Sequence, residues 1–221
     1  MASMDFRRSH QALQSVLDLV FPPQCAGCNQ AGTILCNQCL TSICPHALLP
    51  PRYDVPGIHP IYAVNTYQGT LRTCIHALKY EGNTRLAQPL GMLLAQLYLS
   101  YHVGGDMFIP VPLHSERYKQ RGYNHAELLA RICAEKTGIP FASHLLVRTR
   151  ATLAQVGLTA EQRQHNMVNA FHVPTTKAIF RRRIVIVDDV STTGATLAAC
   201  ASSLLQAGAS SVQALVLAYP M

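Results

Sequence analysis

The sequence has no long hydrophobic run and few charged residues. Hydrophobic residues make up 49% of the 221 positions, and charged residues make up only 13%. The longest apolar stretches, residues 90–99 and 197–205, are shorter than the roughly 20 residues that a helix needs to cross a bilayer. We therefore expect core helices there, no membrane insertion, and a soluble cytoplasmic protein.

The sequence also lacks a P-loop and a signal peptide. None of the four lysines follows a glycine, so the chain lacks the Gly-x-x-x-x-Gly-Lys-Ser/Thr loop of P-loop nucleotide hydrolases. The first ten residues are polar and charged and do not resemble a signal peptide, so we expect free thiols rather than disulfides. The length is sufficient for one α/β domain with a small appendage.

The cations exceed the anions and are mostly arginine. Lys and Arg total 18 against 11 Asp and Glu, which gives a formal net charge of +7. A guanidinium group binds phosphate through two parallel hydrogen bonds, so the excess of arginine favours phosphate ligands. The densest cluster is Arg181, Arg182 and Arg183, which is either a DNA phosphate contact or a solvated entry into a strand.

The strongest chemical signal lies in residues 184–196, Ile-Val-Ile-Val-Asp-Asp-Val-Ser-Thr-Thr-Gly-Ala-Thr. Four β-branched apolar residues predict a strand that is buried on both faces of a parallel sheet, with its carboxyl end at the ligand-binding edge. The loop that follows offers backbone N–H groups, hydroxyls and a glycine at the start of a helix over residues 195–206, which suits a phosphate. Asp188 and Asp189 repel phosphate, so we expect them to face hydroxyl groups or a divalent cation.

Residues 187–196 closely resemble the phosphoribosyl-pyrophosphate (PRPP) signature of type I phosphoribosyltransferases. The resemblance implies that Asp188 and Asp189 hold the ribose 2′- and 3′-hydroxyls and take part in catalysis. It also implies that the 5-phosphate lies in the loop of Ser191, Thr192, Thr193, Gly194, Ala195 and Thr196. A buried strand that ends in a helix-capping acid pair is the structural alternative.

A second basic segment follows a short apolar strand, residues 107–111, and precedes a helix over residues 126–136. Its loop carries Arg117, Lys119 and Arg121, which suit a polyphosphate, although a solvated turn has the same composition. In the resembling enzymes the equivalent strand leads into the pyrophosphate loop. The resemblance therefore gives four candidate PRPP ligands in this segment: Leu113, His114, Arg117 and Arg121.

Residues 148–166 contain few large apolar side chains and show no clear period. Type I enzymes close such a loop over PRPP to exclude water from the reaction. Arg150 is the candidate catalytic residue of this lid, and Arg163 and Asn166 are further candidate pyrophosphate contacts. An ordinary surface loop is the alternative.

The motifs along the chain together resemble the ComF/GntX family, whose members are described as phosphoribosyltransferase-like and are associated with natural competence for DNA uptake. They include Tyr67-x-Gly69, His76-Ala-Leu-Lys-Tyr80, the Pro-Val-Pro-Leu segment at residues 110–113 and the PRPP signature. The resemblance implies Mg²⁺ as the cofactor that accompanies PRPP, with single-stranded DNA and a competence helicase as candidate partners. Lys79 is a candidate pyrophosphate ligand, with an exposed lysine at the end of a helix as the alternative.

The N-terminal part contains two Cys-x-x-Cys pairs, Cys25 with Cys28 and Cys36 with Cys39. Paired thiolates at this spacing predict a tetrahedral zinc site, and four thiolates leave no open coordination position, so the zinc would be structural. Disulfides and a redox function are the alternatives, although a redox motif does not explain the second pair. Cys44 and His46 lie close enough in sequence to substitute as ligands.

Along the chain we expect two regions. Residues 1–54 would form a helix over residues 10–20, the zinc module and a proline-rich linker, and residues 55–221 would form the phosphoribosyltransferase-like domain. Helices over residues 85–98, 126–136 and 195–206, and one ending at Tyr80, alternate with strands over residues 60–67, 107–111, 143–147, 183–188 and 211–218. This alternation predicts an α/β fold with a parallel, mostly doubly wound sheet of the type I phosphoribosyltransferase kind.

The sequence contains no recognisable set of residues that would bind an acceptor, so two functions remain open. The first is an enzyme of natural transformation that transfers phosphoribose from PRPP to an unidentified acceptor. The second is a DNA-binding module or nucleotide-responsive regulator that retains the fold without turnover.

Overall fold

The computed structural model describes residues 22–44, 48–149 and 170–220. The predicted helix over residues 10–20 lies outside these residues. So do His46 and the lid candidates Arg150, Arg163 and Asn166.

A parallel sheet of four strands, in the order β1-β6-β5-β2, forms the centre of the structure, and β3 pairs with β4 in a separate antiparallel sheet. The strands are β1 (Ile61–Thr66), β2 (Met107–Pro110), β3 (Val147–Arg148), β4 (Phe171–His172), β5 (Arg183–Val190) and β6 (Ser211–Tyr219). The α-helices are α1 (Asn37–Ile43), α2 (Gly69–Tyr80), α3 (Ala87–Ser100), α4 (Ser115–Arg121), α5 (His125–Thr137) and α6 (Ala195–Gln206). Every carboxyl end of the four parallel strands therefore lies at one edge of the sheet.

Strand β5 is buried on both faces, as its run of β-branched residues predicts. Val185 and Val187 pack in one hydrophobic core, whereas Ile184 and Ile186 pack in a second core. Successive side chains of a strand point to opposite faces, so the two cores cover the two faces of the sheet. Helices α2 and α3 and most of α5 contribute to the first core and α6 contributes to the second, which confirms the doubly wound arrangement.

The predicted strand over residues 143–147 is wrong. Residues 143–146 form a bend and a turn, and Leu145 and Leu146 are buried there without joining a sheet. Only Val147 extends into a strand, β3, which pairs with β4 rather than with the parallel sheet. A short apolar run marks burial, and burial alone does not distinguish a strand from a turn packed on the core.

The predicted loop that carries Arg117, Lys119 and Arg121 is also wrong, because these residues form helix α4. The helix is short but has signals at both ends. His114 caps the first turn by accepting a hydrogen bond from the backbone N–H of Glu116, and Gly122 ends the helix with a φ of 80°. Cations in the last turn also interact favourably with the helix dipole. The arginines are therefore fixed on a helix.

The other predicted elements that fall within the described residues are confirmed with small shifts at their ends. Helix α6 spans residues 195–206 as predicted. The helix predicted over residues 85–98 begins as a 3-10 turn, Thr84–Leu86, and continues as α3 to Ser100. Strand β5 runs through Val190, so both carboxylates belong to the strand itself.

The cysteine-rich segment packs on the carboxyl end of β1 and the start of α2. The side-chain amide of Asn65 donates a hydrogen bond to the carbonyl of Ile43 at 2.8 Å. The hydroxyl of Ser42 donates a hydrogen bond to the hydroxyl of Thr70 at 3.0 Å. Ile43 is buried in the same core as Leu71. Among the described helices, none is long and apolar enough to cross a membrane.

Candidate functional site

A cavity of about 700 Å³ opens at the carboxyl edge of the parallel sheet. The end of β5 contributes Asp188 and Asp189, and the end of α2 contributes Lys79 and Tyr80. Further walls come from the segment after β2 and from helices α4, α5 and α6, including Leu113, Arg117, Arg121, His125 and Thr196. Ligands of open α/β sheets bind at this edge, because the strand ends and the following loops converge there.

The structure brings seven of the predicted PRPP ligands together around the cavity. They are Lys79, Leu113, Arg117, Arg121, Asp188, Asp189 and Thr196. His114 caps helix α4 and lies 3.7 Å from the carboxylate of Glu116. The remaining predicted ligands do not line the cavity: residues 191–194 form the turn between β5 and α6, and Ala195 begins α6.

The turn between β5 and α6 has a shape that only glycine permits at its end. Gly194 has a φ of 75°, and a Cβ atom there would lie 2.3 Å from a methyl carbon of Val55. Ser191 is buried, and its hydroxyl has no hydrogen-bond partner among the described residues. Thr192 and Thr193 are exposed. The turn thus offers hydroxyl groups and the amino end of helix α6, which suits an anion.

The two carboxylates take part in a network of hydrogen bonds and ion pairs. The ammonium of Lys79 lies 2.7 Å from Oδ2 of Asp189. Nε2 of His125 lies 3.5 Å from Oδ1 of Asp189 and 3.8 Å from Oδ1 of Asp188. Oδ1 of Asp188 accepts a hydrogen bond from the backbone N–H of Asp189 at 2.9 Å. The network connects helices α2 and α5 to the end of β5.

The two neighbouring carboxyl groups are perturbed in opposite directions. Burial and the adjacent Asp189 raise the pKa of Asp188 well above its usual value. Burial acts on Asp189 in the same sense, but the ammonium of Lys79 and the N–H group of His125 outweigh it and hold the pKa of Asp189 well below its usual value. Asp189 therefore carries the charge of the pair, and Asp188 holds its proton more tightly.

His125 and Arg148 are site residues that the sequence reasoning missed. Asn124 caps α5 and donates a hydrogen bond from its amide to the carbonyl of Val111 at 3.0 Å, which ties the start of α5 to the end of β2. Nδ1 of His125 then lies 2.8 Å from a guanidinium nitrogen of Arg121. The guanidinium can only donate, so Nδ1 accepts and Nε2 carries the hydrogen that faces the carboxylates. The spacing of four residues between Arg121 and His125 was the available sequence signal.

Arg148 lines the same cavity from the end of β3. Its guanidinium lies over the ring of Phe171, with 5.5 Å to the ring centroid. Burial, together with the charge of Arg117, lowers the pKa of Arg148. The cavity thus combines a carboxylate pair at one end of β5 with arginines from two other elements.

The four predicted metal ligands form a compact cluster of thiols. The Sγ atoms of Cys25, Cys28, Cys36 and Cys39 lie within 4.8 Å of one another, and those of Cys28 and Cys36 are 3.7 Å apart. A tetrahedral site with zinc–sulfur bonds of about 2.3 Å requires sulfur atoms roughly 3.8 Å apart. The cluster can therefore hold a tetrahedral metal ion with little movement.

The backbone around the cluster stabilises the thiolate of Cys25, whereas burial and the neighbouring thiols raise the pKa of Cys39. The backbone N–H of Cys36 donates to Sγ of Cys25 at 3.3 Å, and that of Cys39 donates to Sγ of Cys36 at 3.4 Å. Burial would raise the pKa of Cys25, but the N–H groups of Cys36, Gly27 and Cys28 lower it to about 6. Metal ions bind the thiolate form, so this environment suits a metal site. The described cysteines are all free thiols.

The arginine cluster lies at the amino end of β5, on the opposite edge of the sheet from the carboxylates. Arg183 is held by Asp106, with the backbone N–H and the guanidinium both donating at 2.8 Å. Arg181 has a φ of 59°, and its guanidinium lies 5.3 Å from the ring centroid of Phe180. All three arginines are exposed, and Arg183 is the one that is bound to an acidic side chain.

Comparison with known proteins gives matches at the levels of domain, relatives and structure. Residues 121–221 match the phosphoribosyl transferase domain. The chain is 32% identical over 200 residues to the DNA utilization protein YhgH of Salmonella typhimurium, covering 81% of this chain and 87% of that protein. It is 39% identical over 109 residues to Competence protein F of Haemophilus influenzae, covering 49% of this chain and 48% of that protein. A solved structure of glutamine PRPP amidotransferase from B. subtilis is also similar, with 22% sequence identity and a TM-score of 0.41. The similarity covers 59% of this chain and 25% of the amidotransferase chain.

Proposed function

Since the chain belongs to the ComF-like family of competence-related, phosphoribosyltransferase-like proteins, we propose that it binds PRPP in the cavity at the carboxyl edge of the sheet. The observation that carries the proposal is that a carboxylate pair and several arginines line the same cavity. A buried carboxylate pair lies at the end of β5, and the cations Arg117 and Arg121 lie on α4. A ligand with a diol at one end and a polyphosphate at the other is complementary to this distribution.

Each part of PRPP has a matching group in the chain. The ribose hydroxyls donate hydrogen bonds to Asp188 and Asp189, and the 5-phosphate lies at the amino end of α6, beside Thr196. The pyrophosphate lies against Arg117 and Arg121, whose guanidinium groups bind phosphate oxygens in pairs. Arg150 is proposed as a further catalytic contact, although it lies outside the described residues.

We propose that the cavity transfers phosphoribose from PRPP to an acceptor. A nucleophile attacks C1 of the ribose, the bond from C1 to the pyrophosphate oxygen breaks, and the acceptor loses a proton. The bond electrons leave with pyrophosphate, so arginines that neutralise it lower the barrier. Mg²⁺ bound with PRPP would supply further positive charge at the same group. The ammonium of Lys79 already neutralises Asp189, so we expect the ion to be held mainly by the pyrophosphate.

Zinc is the metal that the four thiols fit best. Four cysteine ligands with sulfurs near tetrahedral spacing are typical of structural zinc. The thiols are free in the described residues, and free thiols can bind a metal ion as thiolates. We propose that zinc stabilises the contact of this segment with β1 and α2.

A second function is proposed for the opposite edge of the sheet. Arg181 and Arg182 are exposed there, and the names of two relatives refer to DNA utilization and competence. We propose that these cations contact the phosphates of single-stranded DNA and that a competence helicase is a partner. This function does not require turnover of PRPP.

Titration with the two halves of PRPP tests the assignment of the cavity. Thr196→Val should weaken the binding of ribose 5-phosphate and leave the binding of pyrophosphate unchanged. Arg117→Met should weaken the binding of pyrophosphate and leave that of ribose 5-phosphate unchanged. Lys119→Met removes an exposed cation from the same helix and should leave both ligands unchanged. Equal losses of both ligands in every variant, or binding that no variant affects, would place PRPP elsewhere.

A further inference from the structure

Arg121 ends helix α4 at the wall of the cavity, and two described contacts restrain its guanidinium group. One guanidinium nitrogen lies 2.8 Å from Nδ1 of His125, and the guanidinium carbon lies 5.4 Å from the ring centroid of Tyr80. A free arginine side chain has many rotamers, and a ligand that has to fix them loses affinity. A guanidinium group that the protein already holds is preorganised for a phosphate ligand.

The ring of His125 is a fixed partner for this guanidinium group. It is only 4% exposed, and it lies at the start of α5, directly after the turn that joins α4 to α5. In this turn the hydroxyl of Tyr123 donates a hydrogen bond to the carbonyl of Leu78. The side-chain amide of Asn124 donates a hydrogen bond to the carbonyl of Val111 at 3.0 Å. The turn is therefore attached to helix α2 and to the end of β2, and the ring is held with it.

The carboxyl groups of β5 select the tautomer of His125 that Arg121 requires. Nε2 lies 3.5 Å from Oδ1 of Asp189 and 3.8 Å from Oδ1 of Asp188, so a hydrogen on Nε2 faces two carboxyl oxygens. In a neutral imidazole, a hydrogen on Nε2 leaves Nδ1 as an acceptor. The guanidinium group can only donate, so it depends on that acceptor. The carboxyl pair, the imidazole and the guanidinium group thus form one chain of polar contacts.

We propose that His125 is a positioning residue for pyrophosphate: it holds the guanidinium group of Arg121 toward the cavity, in a tautomer that Asp189 maintains. The inference rests on the proposed PRPP site, because it concerns how that site binds one end of its ligand. The carboxyl pair then acts on both ends of PRPP. It accepts hydrogen bonds from the ribose hydroxyls directly, and it acts on the pyrophosphate through His125 and Arg121.

Calorimetric titration with pyrophosphate and, separately, with ribose 5-phosphate tests this role. His125→Leu removes both ring nitrogens, whereas His125→Gln retains a side chain that can accept one hydrogen bond and donate another. Each ligand is also titrated into Arg121→Met and into the double variant Arg121→Met with His125→Leu. His144→Leu is the matched control, because His144 is exposed and does not line the cavity. Circular dichroism establishes that each variant is folded.

We expect His125→Leu to bind pyrophosphate roughly tenfold more weakly and ribose 5-phosphate within about twofold of the parent protein. His125→Gln should recover most of the lost affinity, and His144→Leu should bind both ligands as the parent does. In the Arg121→Met background, His125→Leu should cause no further loss. Unchanged pyrophosphate binding by His125→Leu, equal losses of both ligands, or a further loss in the double variant would overturn the positioning role.

Nuclear magnetic resonance of the imidazole nitrogens tests the same contact in the parent protein, without a substitution in a buried position. At about pH 8 we expect the ring of His125 to be neutral with its hydrogen on Nε2, and His125→Gln identifies its signals by their absence. A hydrogen on Nδ1, or a charged ring, would overturn the positioning role even if the affinities agreed. If the parent shows the expected tautomer but does not bind pyrophosphate, the proposed function fails, and the positioning role fails with it.

Discussion

The ammonium of Lys79 lies 2.7 Å from the carboxylate of Asp189, although the two residues are 110 positions apart in the chain. The contact joins the last turn of α2 to the carboxyl end of β5 at the edge where the cavity opens. Asp189 is almost fully buried, whereas the side chain of Lys79 is 26% exposed. The pair therefore both closes α2 onto the sheet and neutralises a charge that would otherwise be buried alone.

Replacement of Lys79 should destabilise the protein through Asp189. Lys79→Met leaves a buried carboxylate without its cation, and we expect a loss of about 2 kcal/mol, less than for a fully buried pair because Lys79 is partly exposed. The double variant Lys79→Met with Asp189→Asn should lose less than the sum of the single variants. Urea unfolding measures all three.

Lys177→Met is the control for this series, because Lys177 is exposed and lies in a 3-10 turn, Thr176–Ala178, that precedes the amino end of β5, at the opposite end of the strand from Asp189. It should unfold at the same urea concentration as the parent protein. If the loss in the double variant equals the sum of the losses in the single variants, the ion pair contributes nothing to stability.

The opposite pKa shifts of the two carboxyl groups predict opposite effects of pH. The pKa of Asp189 is lowered in the folded state, so its charge stabilises the fold at neutral pH and this contribution is lost as the pH falls. The pKa of Asp188 is raised, so the folded state holds a proton that the unfolded chain releases, which costs stability as the pH rises.

Asparagine at each position should separate these two effects. Relative to the parent protein, Asp189→Asn should be destabilised at about pH 7 and less so at about pH 4, near the pKa of an unfolded aspartate. The free energy of unfolding of Asp188→Asn should rise relative to that of the parent protein as the pH rises over the same range. Urea unfolding at the two pH values measures both trends, and parallel trends for the two variants would contradict the assignment.

The metal site should depend on Gly27 as well as on its cysteines. A Cβ atom at Gly27 would lie 2.7 Å from Sγ of Cys39 and 2.7 Å from a methyl carbon of Thr70. Gly27→Ala should therefore displace a ligand and lower zinc content below the value of about one ion per chain expected for a four-cysteine site. Gln38→Ala, an exposed change in the same segment, should retain zinc in elemental analysis. Full zinc content in Gly27→Ala would contradict the geometry of the site.

The three neighbouring arginines should not contribute equally to DNA binding. The double variant Arg181→Ala with Arg182→Ala should bind single-stranded DNA more weakly. The slope of log affinity against log salt concentration should also become shallower by roughly 0.7 for each phosphate contact that is lost. Arg183→Ala should mainly reduce stability, because Arg183 is bound to Asp106. Arg131→Ala, which removes a cation paired with Glu127, controls for net charge. An equal loss of DNA binding in all variants would indicate a general charge effect.

The sequence predicted the elements whose signals are local. The β-branched run before Asp188 and the glycine before α6 were sufficient to place β5 and α6, because burial on both faces and a helix start each leave a mark within a few residues. The four cysteines were found in the same way, since their spacing reflects the two turns that hold them.

Features that depend on distant contacts could not be read from the sequence. Lys79 was an ambiguous helix-end lysine until the fold placed it beside Asp189. His125 acquires its role only when Asn124 ties α5 to the end of β2. The apolar residues Leu145 and Leu146 were mistaken for part of a strand, because burial in a turn and burial in a sheet leave the same composition.

Calorimetric titration of the zinc-loaded protein with PRPP and Mg²⁺ tests the central claim most directly. The comparison is between the parent protein, the double variant Asp188→Asn with Asp189→Asn, and the double variant Arg181→Ala with Arg182→Ala on the opposite edge of the sheet. Circular dichroism establishes that each protein is folded. Our account predicts saturable binding to the parent and to the arginine variant, and a loss of at least about tenfold in affinity for the carboxylate variant. Absence of saturable binding by the folded parent protein, or equal binding by the carboxylate variant, would contradict it.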